Sequence, residues 1–229
     1  MEYHFELYTL NLADSTERMR KIEHDLRDSP RLRMTRIEAV KGSDLKNVPD
    51  APFLDNYTHL VGSSMHSHEF KQTWVYDGTL DTAFSGLNLH GHDGYKGLTL
   101  SNLRAMEAAI ASKNPEPWLC IAEDDARLPK EVIQEIEDTI TTTTDHDIVW
   151  FDSRGLGGTS LVCYHKSVLP QVVKHMHPLS DFSRTYEERF QRANLWDWQL
   201  GSYTTHNHRL KVHPLVKSGD FISLISPPT

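Results

Sequence analysis

Short apolar runs alternate with helical stripes along most of the chain. Glu6-Leu7-Tyr8-Thr9-Leu10-Asn11-Leu12 reads as a buried strand. Ser15 stands where it can cap a helix, and Met19, Ile22 and Leu26 then share one helical face while Arg18, Arg20, Lys21 and Glu23 lie elsewhere. That helix should stop before Ser29-Pro30, because the residue ahead of a proline is pushed out of the helical region. Met34 to Val40 reads as a second strand, ended by Lys41-Gly42. Strand, helix and strand in about 40 residues predict a βαβ unit with a parallel pair.

Residues 43–95 break the pattern. Pro49, Pro52, Gly62, Gly78, Gly86, Gly91 and Gly94 punctuate them, and periodicity is weak. Long loops in compact domains are usually functional or disordered. Phe53, Tyr57, Phe70, Trp74, Tyr76 and Phe84 favour an ordered lid over one end of the sheet. Regularity returns at Gly97, with Leu100, Leu103, Met106, Glu107 and Ile110 on a helical stripe. Trp118 to Ala122 is a continuous apolar run, the signature of a central strand buried on both faces. Pro129 opens a helix with Val132, Ile133, Ile136 and Ile140 inward. Thr141 to Thr144 reads as a connector, Asp147 to Asp152 as a strand and Gly155 to Gly158 as a substrate loop. Thr159 to Tyr164 is another strand. Helices are expected over Lys166 to His175 and Leu195 to Leu200, and closing strands over Leu210 to Val216 and Phe221 to Ile225. The fold class is α/β: one domain over residues 1–229, with a mostly parallel sheet flanked by helices and a long irregular insertion at 43–95.

Composition narrows the function classes. A chain of 229 residues at 38% hydrophobic content can bury a full core, which argues against global disorder. No apolar run approaches the roughly 20 residues that span a bilayer, and Met1 to Glu6 lacks the basic and apolar regions of a signal peptide. A cytoplasmic setting is the expectation. The net charge of −8 argues against a nonspecific nucleic-acid binder, which carries a basic face. Cys120 and Cys163 each sit in an apolar run and read as reduced core thiols.

The strongest chemical signal is Glu123-Asp124-Asp125, directly after the Trp118 run. Adjacent carboxylates repel, so a strand end has little structural reason to collect three. Alternation puts Glu123 and Asp125 on one side and Asp124 on the other. At the carboxyl edge of a parallel sheet, such a pair suits Mg²⁺ or Mn²⁺, which take oxygen ligands and leave positions for phosphate. The competing reading is a helix cap with solvated neighbours. Asp145-His146-Asp147 has similar spacing but precedes its strand, and reads as a solvated turn. His66 with His68 and His90 with His92 are spaced for zinc on a strand, but their loop-like surroundings favour solvated histidines.

Several segments, taken in order, resemble glycosyltransferase family 25, the lipopolysaccharide and collagen galactosyltransferases. They are Asn11-Leu12 with Arg18, Arg36 to Gly42, Gly97 to Asn102, Glu123 to Asp125, Asp147 to Phe151, Gly158 to Ser160, Trp196 to Leu200, His213 to Val216 and Ser223 to Ile225. The family usually has Ser-His where this chain has Ser101-Asn102. The resemblance implies a GT-A fold, a nucleotide-sugar donor with UDP as the expected nucleotide, and a metal at the acidic triplet. The residues expected to bind the donor are Leu10, Asn11, Leu12, Arg18, Lys41, Gly42, Ser101, Arg104 and Asp124. Glu123 and Asp125 would hold the metal, with His213, at the end of a late strand, as a third ligand.

An acid between Trp196 and Trp198 is odd as plain surface. A carboxylate in reach of an acceptor hydroxyl can take its proton, and indoles offer flat faces to sugar rings. The resembling family places an acid in this segment, so Asp197 is the candidate base; the alternative is a helix with its tryptophans in the core and Asp197 exposed. Arg18, Arg36, Lys41 and Arg104 are the basic residues nearest the ligand edge, where a pyrophosphate needs donors. Asn11 would bond a base edge or shape its turn, and Ser101 would face the donor or cap its helix. The expected activity is metal-dependent, inverting transfer of a sugar to a glycan or other hydroxyl acceptor. The rivals are a carbohydrate-binding or degenerate glycosyltransferase-fold protein without turnover, and a metal-dependent nucleotidyltransferase or phosphohydrolase, which would need a second metal cluster.

Overall fold

The structure, a computed structural model, describes residues 5–27, 29, 31–45, 93–177 and 196–217. Its elements are β1 (Phe5–Asn11), α1 (Thr16–Asp25), β2 (Leu32–Glu38), α2 (Asp93–Ala111), β3 (Trp118–Glu123), α3 (Lys130–Thr142), β4 (Ile148–Asp152), β5 (Leu161–His165), α4 (Leu169–Met176), α5 (Trp196–Asn207) and β6 (Leu210–Val216). Short 3₁₀ turns cover Gly42–Leu45, Gly155–Gly157 and Lys166–Val168. The expected strand over Phe221 to Ile225, both histidine pairs and most of the 43–95 insertion lie outside the described residues.

The six strands form one sheet in the order β2-β1-β3-β5-β4-β6. β1 pairs in parallel with β2 and β3, and β4 with β6; β5 is antiparallel to both its neighbours. Five strands therefore end at one edge, and only β5, among these six, begins there. The expected α/β class with a mostly parallel sheet holds. Among the described residues β6 pairs on one side only, and Pro214 falls where its register with β4 slips, between the Trp150–Val212 and Asp152–Val216 pairs.

Alternation divides the core between the two sheet faces. Tyr8, Leu10, Leu119, Ile121, Ile148 and Trp150 pack with Leu103, Met106, Leu169, Val172, Trp196 and Leu200 from α2, α4 and α5. Phe5, Leu7, Cys120, Val149 and Phe151 point the other way, onto Ile22 of α1 and Ile133, Ile136 and Ile140 of α3. Full burial of one such side chain contributes about 1.5–3 kcal/mol, so the two layers together fix the register of the sheet.

Three local expectations change. Ser15 makes no side-chain cap; its carbonyl instead accepts from Asn11 Nδ2 at 2.9 Å. α3 runs through Thr142 rather than ending before the threonines, whose hydroxyls donate back to carbonyls one turn earlier. The two cysteines are not reduced thiols. Antiparallel pairing sets Cys120 directly opposite Cys163, and they form a disulfide between β3 and β5. Among the described residues no helix is long and apolar enough to cross a membrane.

Candidate functional site

The edge where five strands end collects the polar side chains. β1 ends at Asn11, β2 at Glu38, β3 at Glu123 and β4 at Asp152, and the residues leading into reversed β5 are Thr159 and Ser160. Asn11, Asp152 and Ser160 are fully buried and Thr159 nearly so.

The acidic triplet divides in two directions. β3 keeps its alternation as far as Glu123, which projects to the same face as Leu119 and Ile121, the face covered by α5. Asp124 and Asp125 lie in the turn beyond the strand. Asp124 swings to the opposite side, accepting from Arg18 Nη1 at 3.0 Å and Asn11 Nδ2 at 2.8 Å. Asn11 thus spans the Ser15 carbonyl and Asp124, which is the turn-shaping role.

Glu123 accepts from Thr159 Oγ1 at 2.8 Å, yet burial and the neighbouring Asp125 charge push its carboxyl up to about 7. Asp125 is also raised, by burial and then by Asp124, and its Oδ1 is buried without a partner. Two crowded carboxylates held toward neutrality, one with an orphaned oxygen, fit a hard divalent cation, whose charge would restore both to the ionised form. Glu123 and Asp125 are the residues that would hold it.

His213 does not join them. It lies on the α3 side of the sheet, its ring centroid 5.6 Å from that of Phe151 and its Nε2 2.7 Å from Glu135 Oε1 of α3. Glu123 points to the α5 side, so the sheet itself separates the two. Among the described residues no group of three or more His, Cys, Asp or Glu side chains stands close enough to hold a metal.

Asp197 occupies the first turn of α5, next to Trp196, which is buried in the core. Its charge acts on both Glu123 and Arg154, which brings it into the neighbourhood of the triplet.

Three of the nine expected donor residues, Leu12, Lys41 and Arg104, meet at the ends of β1 and β2. A cleft of about 300 Å³ there is lined by Leu12, Ala13, Asp14, Glu38 to Lys41, Asp44 and Arg104. Arg36 donates to the Leu12 carbonyl at 3.2 Å and Arg104 to the Glu38 carbonyl at 2.7 Å, so both guanidiniums brace the strand ends. Lys41 pairs with Asp14 at 2.7 Å at the exposed mouth. Ser101 neither caps α2 nor faces the cleft. Its hydroxyl donates to the Gly97 carbonyl and accepts from Val40 N at 2.8 Å, latching the cleft wall to α2. Gly97 permits that approach: a Cβ there would lie 2.5 Å from the Val40 carbonyl and 3.0 Å from Gly42 N. Leu10 is a core side chain on the α2 face.

Sequence reasoning missed Arg154 as a site residue. Fully buried Asp152 accepts from Arg154 N (2.8 Å), Arg154 Nε (3.0 Å), Arg154 Nη2 (2.8 Å) and Ser160 N (2.7 Å). Burial alone would raise the Asp152 carboxyl, but these bonds outweigh it and hold the group below the usual carboxylate range. The Arg154 pKa is raised in turn, chiefly by the bonds to Asp152. The available signal was an acid at a strand end, an arginine two residues on and a glycine loop.

No protein-family model matches the chain, and no curated protein matches it. Among solved structures it is similar to mouse xyloside xylosyltransferase 1 in its apo form, at 7% sequence identity and a TM-score of 0.40, with both chains fully covered.

Proposed function

We propose that the protein is a GT-A-type glycosyltransferase of the family 25 kind. It moves a sugar from a nucleotide-diphospho-sugar, with UDP as the expected nucleotide, to a hydroxyl on a glycan or other acceptor. The observation that carries this reading is the shared sheet edge. The cleft opens at the ends of β1 and β2, the Glu123–Asp125 pair lies at the end of neighbouring β3, and Asp197 acts on Glu123 from α5, which supports nucleoside, diphosphate and acceptor in that order.

In this reading the cleft takes the nucleoside, and Asn11 and Arg18 fix Asp124 just beyond the end of β3. Glu123 and Asp125 would hold Mn²⁺ or Mg²⁺, which would supply neutralisation of the leaving diphosphate. Asp197 removes the proton of the acceptor hydroxyl as its oxygen bonds to the anomeric carbon. The bond from that carbon to the diphosphate breaks with its electron pair, and the configuration inverts. Asp152 does not suit the base role, because its oxygens already accept four hydrogen bonds and its proton affinity is low.

The test is a thermal shift with UDP, GDP and their sugar conjugates, each with and without Mn²⁺, on the wild type and on Asp125→Asn. A ligand at 100 times its Kd stabilises by about 2.7 kcal/mol. Stabilisation should need the cation and vanish in the variant. Equal stabilisation of the variant, or none of the wild type, would remove the reading.

A further inference from the structure

The Arg154 clamp is more than an ion pair needs. The guanidinium is gripped from three sides: by the Asp152 carboxylate, by Ser160 Oγ at 3.2 Å from Nη2, and by Gly158 beneath it, where a Cβ would collide with Nη2, Cζ and Nε. Gly158 is itself fixed, its carbonyl accepting from Trp150 Nε1 at 2.7 Å in the core. These contacts use Nε and Nη2. Nη1 makes no hydrogen bond among the described residues, and the side chain remains 54% exposed although its partner is fully buried. An arginine that only neutralised Asp152 would gain nothing from a rigid orientation with an open edge. A fork held in one plane is what planar recognition of an oxyanion requires.

The setting favours phosphate as that oxyanion. Arg154 lies at the ligand edge, within the field of Glu123 and Asp197. Glu123, Asp124, Asp125, Asp152 and Asp197 outnumber Arg18 and Arg154 there, so an anion would be admitted only together with a cation.

We infer that Arg154 is an oxyanion-binding residue of this site, its open Nη1 edge receiving a phosphate oxygen of the nucleoside diphosphate. This rests on the glycosyltransferase reading above. Asp152, Gly158 and Ser160 are its positioning residues.

The experiment compares UDP and uridine binding by calorimetry, with Mn²⁺ present, to the wild type, Arg154→Lys, Arg154→Gln and Gly158→Ala. A charge-assisted bond lost on one side predicts about 10- to 100-fold weaker UDP binding by Arg154→Gln, with uridine unchanged. Arg154→Lys keeps the charge without the fork and should recover only part of the loss. Gly158→Ala keeps the arginine but displaces it, and should show the same UDP-selective defect. It also keeps the test decisive if Arg154→Gln, which leaves Asp152 unpaired, does not fold. Unchanged UDP affinity in Gly158→Ala and Arg154→Lys, or parallel loss of uridine and UDP, would overturn the inference and leave the transferase reading standing. A wild type that binds neither UDP nor GDP with Mn²⁺ would overturn both.

Discussion

Replacing Glu123 by glutamine should make the metal-free protein more stable, and only above a definite pH. The carboxyl titrates near 4.5 in an unfolded chain and near 7 in the folded one. Between these values the folded state holds a proton that the unfolded state has released, so wild-type stability falls as pH rises through the window. Below it both states are protonated and nothing is lost; above it the penalty is constant. At 1.36 kcal/mol per unit, the shift from 4.5 to about 7 costs the wild type about 3 kcal/mol at pH 8 and under about 1 kcal/mol at pH 5. Glutamine keeps an oxygen for the Thr159 hydroxyl and carries no charge to desolvate or to repel Asp125. In chelator at pH 8 the variant should therefore melt about 5–10 °C above the wild type, and at pH 5 nearly with it. Urea unfolding across that range measures the difference directly. Adding Mn²⁺ should reverse the ranking, since only the wild type keeps both carboxylates. A variant no more stable at pH 8, or equally favoured at both pH values, would refute the account of Glu123 as a crowded, desolvated acid.

Asp197→Asn should lower the transfer rate by about 10²- to 10⁴-fold with donor affinity nearly unchanged; near-normal kcat at saturating acceptor would exclude Asp197 as the base. Gly97→Ala should destabilise by about 1–3 kcal/mol and weaken nucleoside binding, because the new methyl would press the Val40 carbonyl out of the cleft wall; denaturant midpoints and uridine titration read the two effects. Thiol titration of the denatured, unreduced protein should find no free thiol, and reduction should cost up to about 4 kcal/mol for a closed loop spanning 43 positions.

Where side chains repeat with a strong period, the fold was legible. The Trp118 run and the Glu6 strand announce their type, the α3 stripe its type and its buried face, and Glu123 follows the alternation of the strand before it. What failed depended on contacts between distant segments. The disulfide required knowing that β5 returns antiparallel beside β3. A signal was present, since the stretch from Asp152 to Leu161 is too short for a parallel crossover, which takes about a dozen residues or more. His213 looked like a ligand because β6 ends near the same edge, but one residue of alternation sets it on the other face of the sheet. Arg154 escaped notice because its meaning comes from a plane of contact with Gly158 that spacing alone does not reveal.

The meeting of Gly97 with Val40 and Gly42 has a consequence for how this chain can vary. Gly42 and Gly97 stand in contact although they are 55 positions apart in the chain. The ends of the intervening excursion are thus held together by the scaffold, whatever lies between them. Once two ends are pinned, lengthening the span between them is cheap: each doubling costs about 0.6 kcal/mol of closure entropy. Changes in length between Gly42 and Gly97 should therefore cost the sheet little. Sequence length there can vary while the Ser101 bond to Val40 and the close approach of Gly97 keep the end of β2 fixed against α2.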